Sequence, residues 1–99
     1  MLEIEKIMMV REAVALDSDR EKITDAMDAL SSTFKQMLFA TREFMQAGKV
    51  PAIDLTELHA HMDTLREIAA RFGVDFPATD TDMELREFVI KFGTEIIQN

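Results

Sequence analysis

The sequence predicts an all-α protein, an antiparallel bundle of four helices with one long central helix. The 99 residues are 47% apolar and include only three Gly and two Pro, which favours an ordered helical chain. A heptad pattern runs through residues 19–47, and helix-capping patterns separate the other periodic segments. A chain of this length forms one domain. We therefore expect a single domain over 1–99, with helices near 2–16, 19–47, 55–72 and 82–92 or beyond.

The central helix carries an apolar seam whose members recur at spacings of four and three. They are Ile23, Met27, Leu30, Phe34, Met37, Thr41 and Phe44. This helix would be about 43 Å long, whereas the first and third would be about 22–27 Å. It therefore either breaks at Ser31–Thr33, where hydroxyls compete for backbone hydrogen bonds, or packs its excess length on another chain. The undisturbed phase of the seam favours a continuous helix.

Local signals predict where the helices begin and end. Capping boxes are expected at Ser18 with Glu21, at Asp54 with Glu57 and at Thr81 with Glu84. Gly48 and Gly73 are expected to end the second and third helices. The third helix has its own seam, which consists of Leu55, Leu58, Met62, Leu65, Ala69 and Phe72.

A weak internal repeat suggests a further helix end. LREIAARFGVDF (65–76) aligns with LREFVIKFGTEI (85–96). If the match is structural, Gly93 ends the fourth helix as Gly73 ends the third and 94–99 is a tail; otherwise the helix continues beyond 92. A duplicated segment would explain this match, and so would the residue types that commonly occur at the ends of helices.

Net charge and composition restrict the classes of partner. The chain carries a net charge of −8, so direct binding to nucleic acid or to an anionic membrane is disfavoured. It has no Cys, no signal-like N-terminus and no apolar run long enough to span a bilayer. We expect a soluble, cytoplasmic protein without a cofactor.

The two histidines lie in the segment ELHAHMD, residues 57–63. His59 and His61 are about 200° apart on a helix, so they cannot bind one ion together. His59 with Asp63 and Glu57 with His61 have usable spacings. Two ligands do not make a metal site, although a two-fold dimer would supply four. We therefore predict no metal site, with these four residues as weak candidates, and no catalytic residue.

Residues 65–74, LREIAARFGV, resemble the first helix and turn of a helix-turn-helix motif. The resemblance fails where the recognition helix should follow, because DFPATDTDM contains Pro77 and several acids. It also lacks any Arg, Lys, Asn or Gln that could read base edges. A plain helical hairpin is the better interpretation.

Surplus apolar residues provide the main functional signal. Phe39 lies opposite the seam of the central helix, and Met83, Ile90 and Ile97 recur every seven residues on the fourth helix. A fuller bundle could bury them, or they could bind a second copy or another protein. Eight Met and seven Phe give surfaces that can repack on partners.

We predict a non-enzymatic protein–protein interaction module, such as a small regulator, adaptor or chaperone, acting through this Met/Phe-rich stripe within an acidic surround. We expect a homodimer with the second or fourth helix at the interface, and another protein as a further partner. The alternative is an acidic inhibitor that mimics nucleic acid and occupies a basic nucleic-acid-binding protein. Its acidic face would be Glu57, Asp63, Glu67, Asp75, Asp80, Asp82, Glu84 and Glu87.

Overall fold

The helices of the protein surround one apolar core. The computed structural model describes residues 1–98, and the helices in it are Glu3–Ala13 (α1), Asp17–Ala47 (α2), Thr56–Ala70 (α3) and Asp82–Gln98 (α4). No strand occurs in this part of the chain, which confirms the predicted all-α class. Within residues 1–98 no helix combines the length and the apolar character needed to cross a membrane.

The central helix α2 contacts each of the other three helices. It runs unbroken through Ser31–Thr33, as the phase of the seam indicated. The Thr33 hydroxyl donates to the Ala29 carbonyl oxygen at 2.8 Å, so its hydrogen bond is made within the helix and does not break it. At 31 residues α2 is about 46 Å long, close to the 48 Å longest extent of the molecule.

The start of α2 differs from the prediction. The helix begins at Asp17, and Leu16 occupies the N-cap position without a capping side chain. The expected box of Ser18 and Glu21 is therefore wrong, because Ser18 already lies inside the first turn. Two acids, Asp17 and Asp19, lie in this turn, where the positive end of the helix dipole favours them.

The first helix α1 ends at Ala13, three residues earlier than expected. Arg20 explains this end: its guanidinium donates to the carbonyl oxygens of Arg11 at 3.3 Å and of Val14 at 2.9 Å. These carbonyls lack partners within a helix that stops here, so a cation from α2 satisfies them.

Side chains cap α3 and α4 near their predicted positions. The Thr81 hydroxyl accepts from the Glu84 N–H at 3.1 Å, and Glu84 accepts from the Thr81 N–H at 3.0 Å, which confirms that capping box. Asp54 lies just before α3, and its carboxylate accepts from the Thr56 N–H at 2.9 Å. This bond lowers the pKa of Asp54. The first helical residue is Thr56. The predicted capping box of Asp54 with Glu57 is therefore wrong, and the bond from the Thr56 N–H to Asp54 takes its place.

Of the two alternatives for the end of the fourth helix, the structure has the longer one. Helix α4 continues through Gly93 to Gln98. A Cβ atom at Gly93 would lie 2.3 Å from the ring of Phe34, so the glycine allows α4 to approach α2 closely. Gly73 does follow α3 with a φ of +69°, a conformation that favours glycine. Phe72 lies beyond the end of α3 and is exposed, so the predicted apolar seam of the third helix is wrong for this last residue.

Two buried carboxylates fix the start of α1 against α4. Glu95 accepts from the Ile4 N–H at 3.1 Å. Glu3 pairs with Lys6 at 3.1 Å and with Lys91 at 3.5 Å. Because these acids are nearly inaccessible to water, their bonds hold the inner face of α1 in one position. The opposite face of α1 remains on the surface.

Candidate interaction surface

The core covers only the first part of α2. Its last buried residue is Thr33. We call the remainder, residues 34–47, the distal segment; none of its residues is buried. Phe34 and Met37 still pack partly against the core, whereas Thr41 and Phe44 are exposed. The predicted core seam is therefore wrong for these two residues, because α2 extends beyond the helices that would cover them.

Large apolar side chains remain on the surface of this segment. The exposed ones are Leu38, Phe39, Phe44 and Met45, together with Val50 in the connection that follows. Phe39 is 59% exposed and Met45 is 80% exposed. Scattered single apolar residues are normal on a protein surface, but a group on one helix is unusual enough to make this segment a candidate interaction surface. The mismatch in helix length was the sequence signal for this group.

Three clefts adjoin the distal segment. The first has a volume of about 420 Å³ and lies between Phe39 and the connection at Pro51–Ile53. The second has about 340 Å³ and lies beside Phe44 and Val50. The third, of about 240 Å³, separates α2 from the end of α4 and is lined by Ser31, Phe34, Lys35, Leu38, Gly93, Ile96 and Ile97.

The linings of these clefts suit apolar docking. In the described chain, none of the three is lined by a carboxylate or an imidazole. The charged groups that they contain are the cations of Lys35 and Arg86. The clefts can receive apolar side chains and, at their edges, acids.

The four residues that the sequence predicts for partner binding are all exposed in the single chain. Phe39 lines the first cleft, and Ile97 lines the third. Phe39 therefore lies on the distal segment, and Ile97 lies beside it. Met83 and Ile90 are 71% and 48% exposed on α4 and line none of the three clefts. Sequence reasoning missed Leu38 and Met45, and it had assigned Phe44 to the core.

The distal end of the molecule is locally basic. Residues 34–53 contain Lys35, Arg42 and Lys49 but only one acid, Glu43, so they sum to +2 and leave −10 for the other residues. Within the described residues, none of these three cations has an acidic partner within ion-pair distance. The rim of this surface therefore differs from the acidic surround that the sequence suggested.

The eight predicted acids are spread over α3, α4 and the connection between them. Seven are exposed and Glu84 is half-buried. Glu84 is part of the cap of α4, and Asp82 contacts His59 Nε2 at 2.7 Å. These two acids are thus engaged within the chain. His61 and Glu67 line a separate polar cleft of about 350 Å³.

The weak metal candidates do not converge on one position. His59 contacts Asp82, which is 23 residues away, and not Asp63, the residue with which its spacing would allow it to share an ion. Across residues 1–98 no group of three or more His, Asp or Glu side chains has an arrangement that could hold a metal ion. Glu57 and His61 likewise belong to no such group.

Comparisons of the chain with protein-family models, with curated proteins and with solved structures found no match. Inference of a function for this chain therefore depends on the surface of the molecule.

Proposed function

We propose that the chain is a non-enzymatic protein-interaction module, a small regulator, adaptor or chaperone, whose binding surface is the distal segment of α2. The observation that supports it is the group of four large apolar side chains that are exposed on this segment, together with Val50 in the connection that follows. Ile97 extends this surface onto α4 across the third cleft. The unpaired cations Lys35 and Arg42 border it and favour a partner with acidic groups near its apolar residues.

The size of the apolar group supports a useful affinity. Burying one Leu, Phe or Met side chain contributes about 1.5–3 kcal/mol. Because the five side chains are 52–80% exposed, covering the rest of their surface offers roughly 5–10 kcal/mol, against an association cost of about 4–15 kcal/mol. Binding is therefore modest and requires a partner that covers most of the group. Phe39, with Leu38 beside it, would be the anchor, since aromatic residues dominate interface energetics. Phe44 lies about 140° away around the helix, in a different cleft.

The proposed scaffold is an antiparallel bundle. Only Val14–Leu16 connect α1 to α2, and a connection this short joins neighbouring helices that run in opposite directions. In such a bundle the long helix α2 extends beyond the neighbouring helices at one end. That end is the proposed binding surface.

The alternative hypothesis, an acidic mimic of nucleic acid, makes a different prediction about salt. Its remaining exposed acids would attract a basic protein through interactions that weaken steeply with ionic strength. Docking through the distal segment depends mainly on apolar burial and responds much less to salt.

Site-directed photo-crosslinking tests the proposal. A photoreactive phenylalanine analogue at position 39 should yield covalent adducts with protein in cells that express the chain. The same analogue at Ala70, which is exposed at the end of α3, is the matched control and should yield few adducts. An adduct of twice the chain's mass indicates a second copy, and any other mass indicates another protein. Equal yields at both positions, or none at position 39, would contradict the proposal.

A further inference from the structure

Two stretches of the chain share one pattern with opposite charges. Residues 35–42 read KQMLFATR, and residues 5–12 read EKIMMVRE. Each begins and ends with a charged residue and has two adjacent large apolar residues at its centre. The end charges are Lys35 and Arg42 in α2 but Glu5 and Glu12 in α1. The α1 stretch also contains Lys6 and Arg11, which are half-buried and bond within the chain, to Glu3 and to Thr24.

The structure places both patterns on the surface. On α1 the central pair is Met8 and Met9, which are exposed, whereas Ile7 and Val10 point into the core. Glu5 and Glu12 are exposed as well. Residues seven apart lie on nearly the same side of a helix, about 10 Å apart. The outer face of α1 therefore presents two acids, with a methionine to each side of the line between them.

The distal segment presents the complementary face. Leu38 and Phe39 are 52% and 59% exposed, and Lys35 and Arg42 are exposed at the same seven-residue spacing. In the described chain neither Lys35 nor Arg42 has an ion-pair partner. Glu12 also has none among these residues, and Glu5 accepts only from the nearby Leu2 N–H, at 3.3 Å.

We propose that the partner of the distal segment is a second copy of this chain, which docks there with the outer face of its α1. This inference rests on the proposed function and names the partner of the same surface. The central apolar pairs would be buried against each other. The two charges at the ends would meet opposite charges whichever way the two helices run, because both ends of each pattern carry the same sign.

A dimer can make this contact twice. Each chain carries one distal segment and one α1, and in the proposed dimer a two-fold axis pairs each of these surfaces with the complementary surface of the other copy. The acidic remainder of each chain repels its counterpart at long range. At 0.15 M salt the Debye length is about 8 Å, so this repulsion is largely screened while charges in direct contact still attract.

Reciprocal charge reversal tests the pairing. One variant carries Lys35→Glu and Arg42→Glu, and the other carries Glu5→Lys and Glu12→Lys. Alone, each variant would place like charges together in both contacts. We expect the dissociation constant of each to rise at least about tenfold in sedimentation equilibrium, since every exposed attraction becomes a repulsion. Mixed in equal amounts, the two variants should form a heterodimer with near wild-type affinity, because both contacts regain opposite charges.

A charge reversal outside the proposed contact serves as the control. Lys22→Glu reverses an exposed charge on the part of α2 that the core covers, and we expect it to leave the dimer unchanged. Helical circular dichroism of every variant checks that the chains are folded. A mixture that stays dissociated would overturn the inference. A wild-type chain that remains at 11.3 kDa up to about 1 mM would also overturn it. Crosslinks from position 39 to another protein would still support the proposed function in that case.

Discussion

Gly93 illustrates how one residue sets the distance between two helices. The Cβ that any other residue would add lies 2.3 Å from the ring of Phe34, far inside normal contact. In an open helix position, replacing Gly with Ala stabilises by about 1 kcal/mol. Here the added methyl group must displace an aromatic ring, and such overpacking costs about 1–3 kcal/mol.

The two effects can be separated by a double-mutant cycle. We expect Gly93→Ala to lower the free energy of unfolding by about 1–2 kcal/mol, as measured by urea denaturation. In a Phe34→Ala background the same change should instead raise it by about 0.5–1 kcal/mol, because only the gain in helix propensity remains. If Gly93→Ala has the same effect in both backgrounds, the proposed contact with Phe34 is not what requires glycine.

The residue scale also shows which details a sequence can predict. The cap of Thr81 with Glu84 was predictable because both partners lie within one helical turn. The role of Gly93 was not, because Phe34, which decides it, is 59 positions away in the chain. For the same reason the contact of His59 with Asp82, on another helix, was not predictable from the spacing of neighbouring residues.

At the scale of helices, α2 consists of two parts with different surroundings. Up to Thr33 it is held by buried residues such as Ile23 and Leu30. None of the α2 residues beyond Thr33 is buried. The heptad pattern predicted the helix and its continuity, since periodicity depends on the helix alone. It could not predict where the covering helices end, so Phe44 was assigned to a core that does not reach it.

Hydrogen exchange should distinguish these two parts. In the monomeric Lys35→Glu/Arg42→Glu variant, we expect amides of residues 38–45 to exchange at least about tenfold faster than those of residues 23–33, because little buried surface opposes local opening. Wild-type chain at a concentration where it dimerises should protect residues 38–45 and leave α3 unchanged. Equal protection along α2 in the variant would show that the distal segment is stabilised by some contact within the chain.

At the scale of the whole molecule, charge and apolar surface are distributed unequally. The end of the molecule formed by residues 34–53 is apolar and carries +2, and the remainder carries −10. The total of −8 correctly suggested an acidic body but concealed this basic end. An overall charge cannot show which of the charged residues the fold brings together. The four-helix class, in contrast, followed from patterns within each helix.

Two apolar surfaces compete for the role of interface: the distal segment of α2 and the stripe of Met83, Ile90 and Ile97 on α4. Leu38 and Ile90 are exposed to a similar extent, 52% and 48%, so Asp at either position is a comparable change. The two substitutions therefore form a matched pair, and neither removes a core residue. Ile97 adjoins both surfaces and is less informative.

The most direct test of the account is the mass in solution, measured by light scattering over a concentration series at 0.15 M salt. We predict that the wild type rises from 11.3 kDa towards twice that value and stops there. Leu38→Asp should remain at the mass of one chain, and Ile90→Asp should follow the wild type. The account would be contradicted if Leu38→Asp associates as the wild type does, or if Ile90→Asp alone is monomeric.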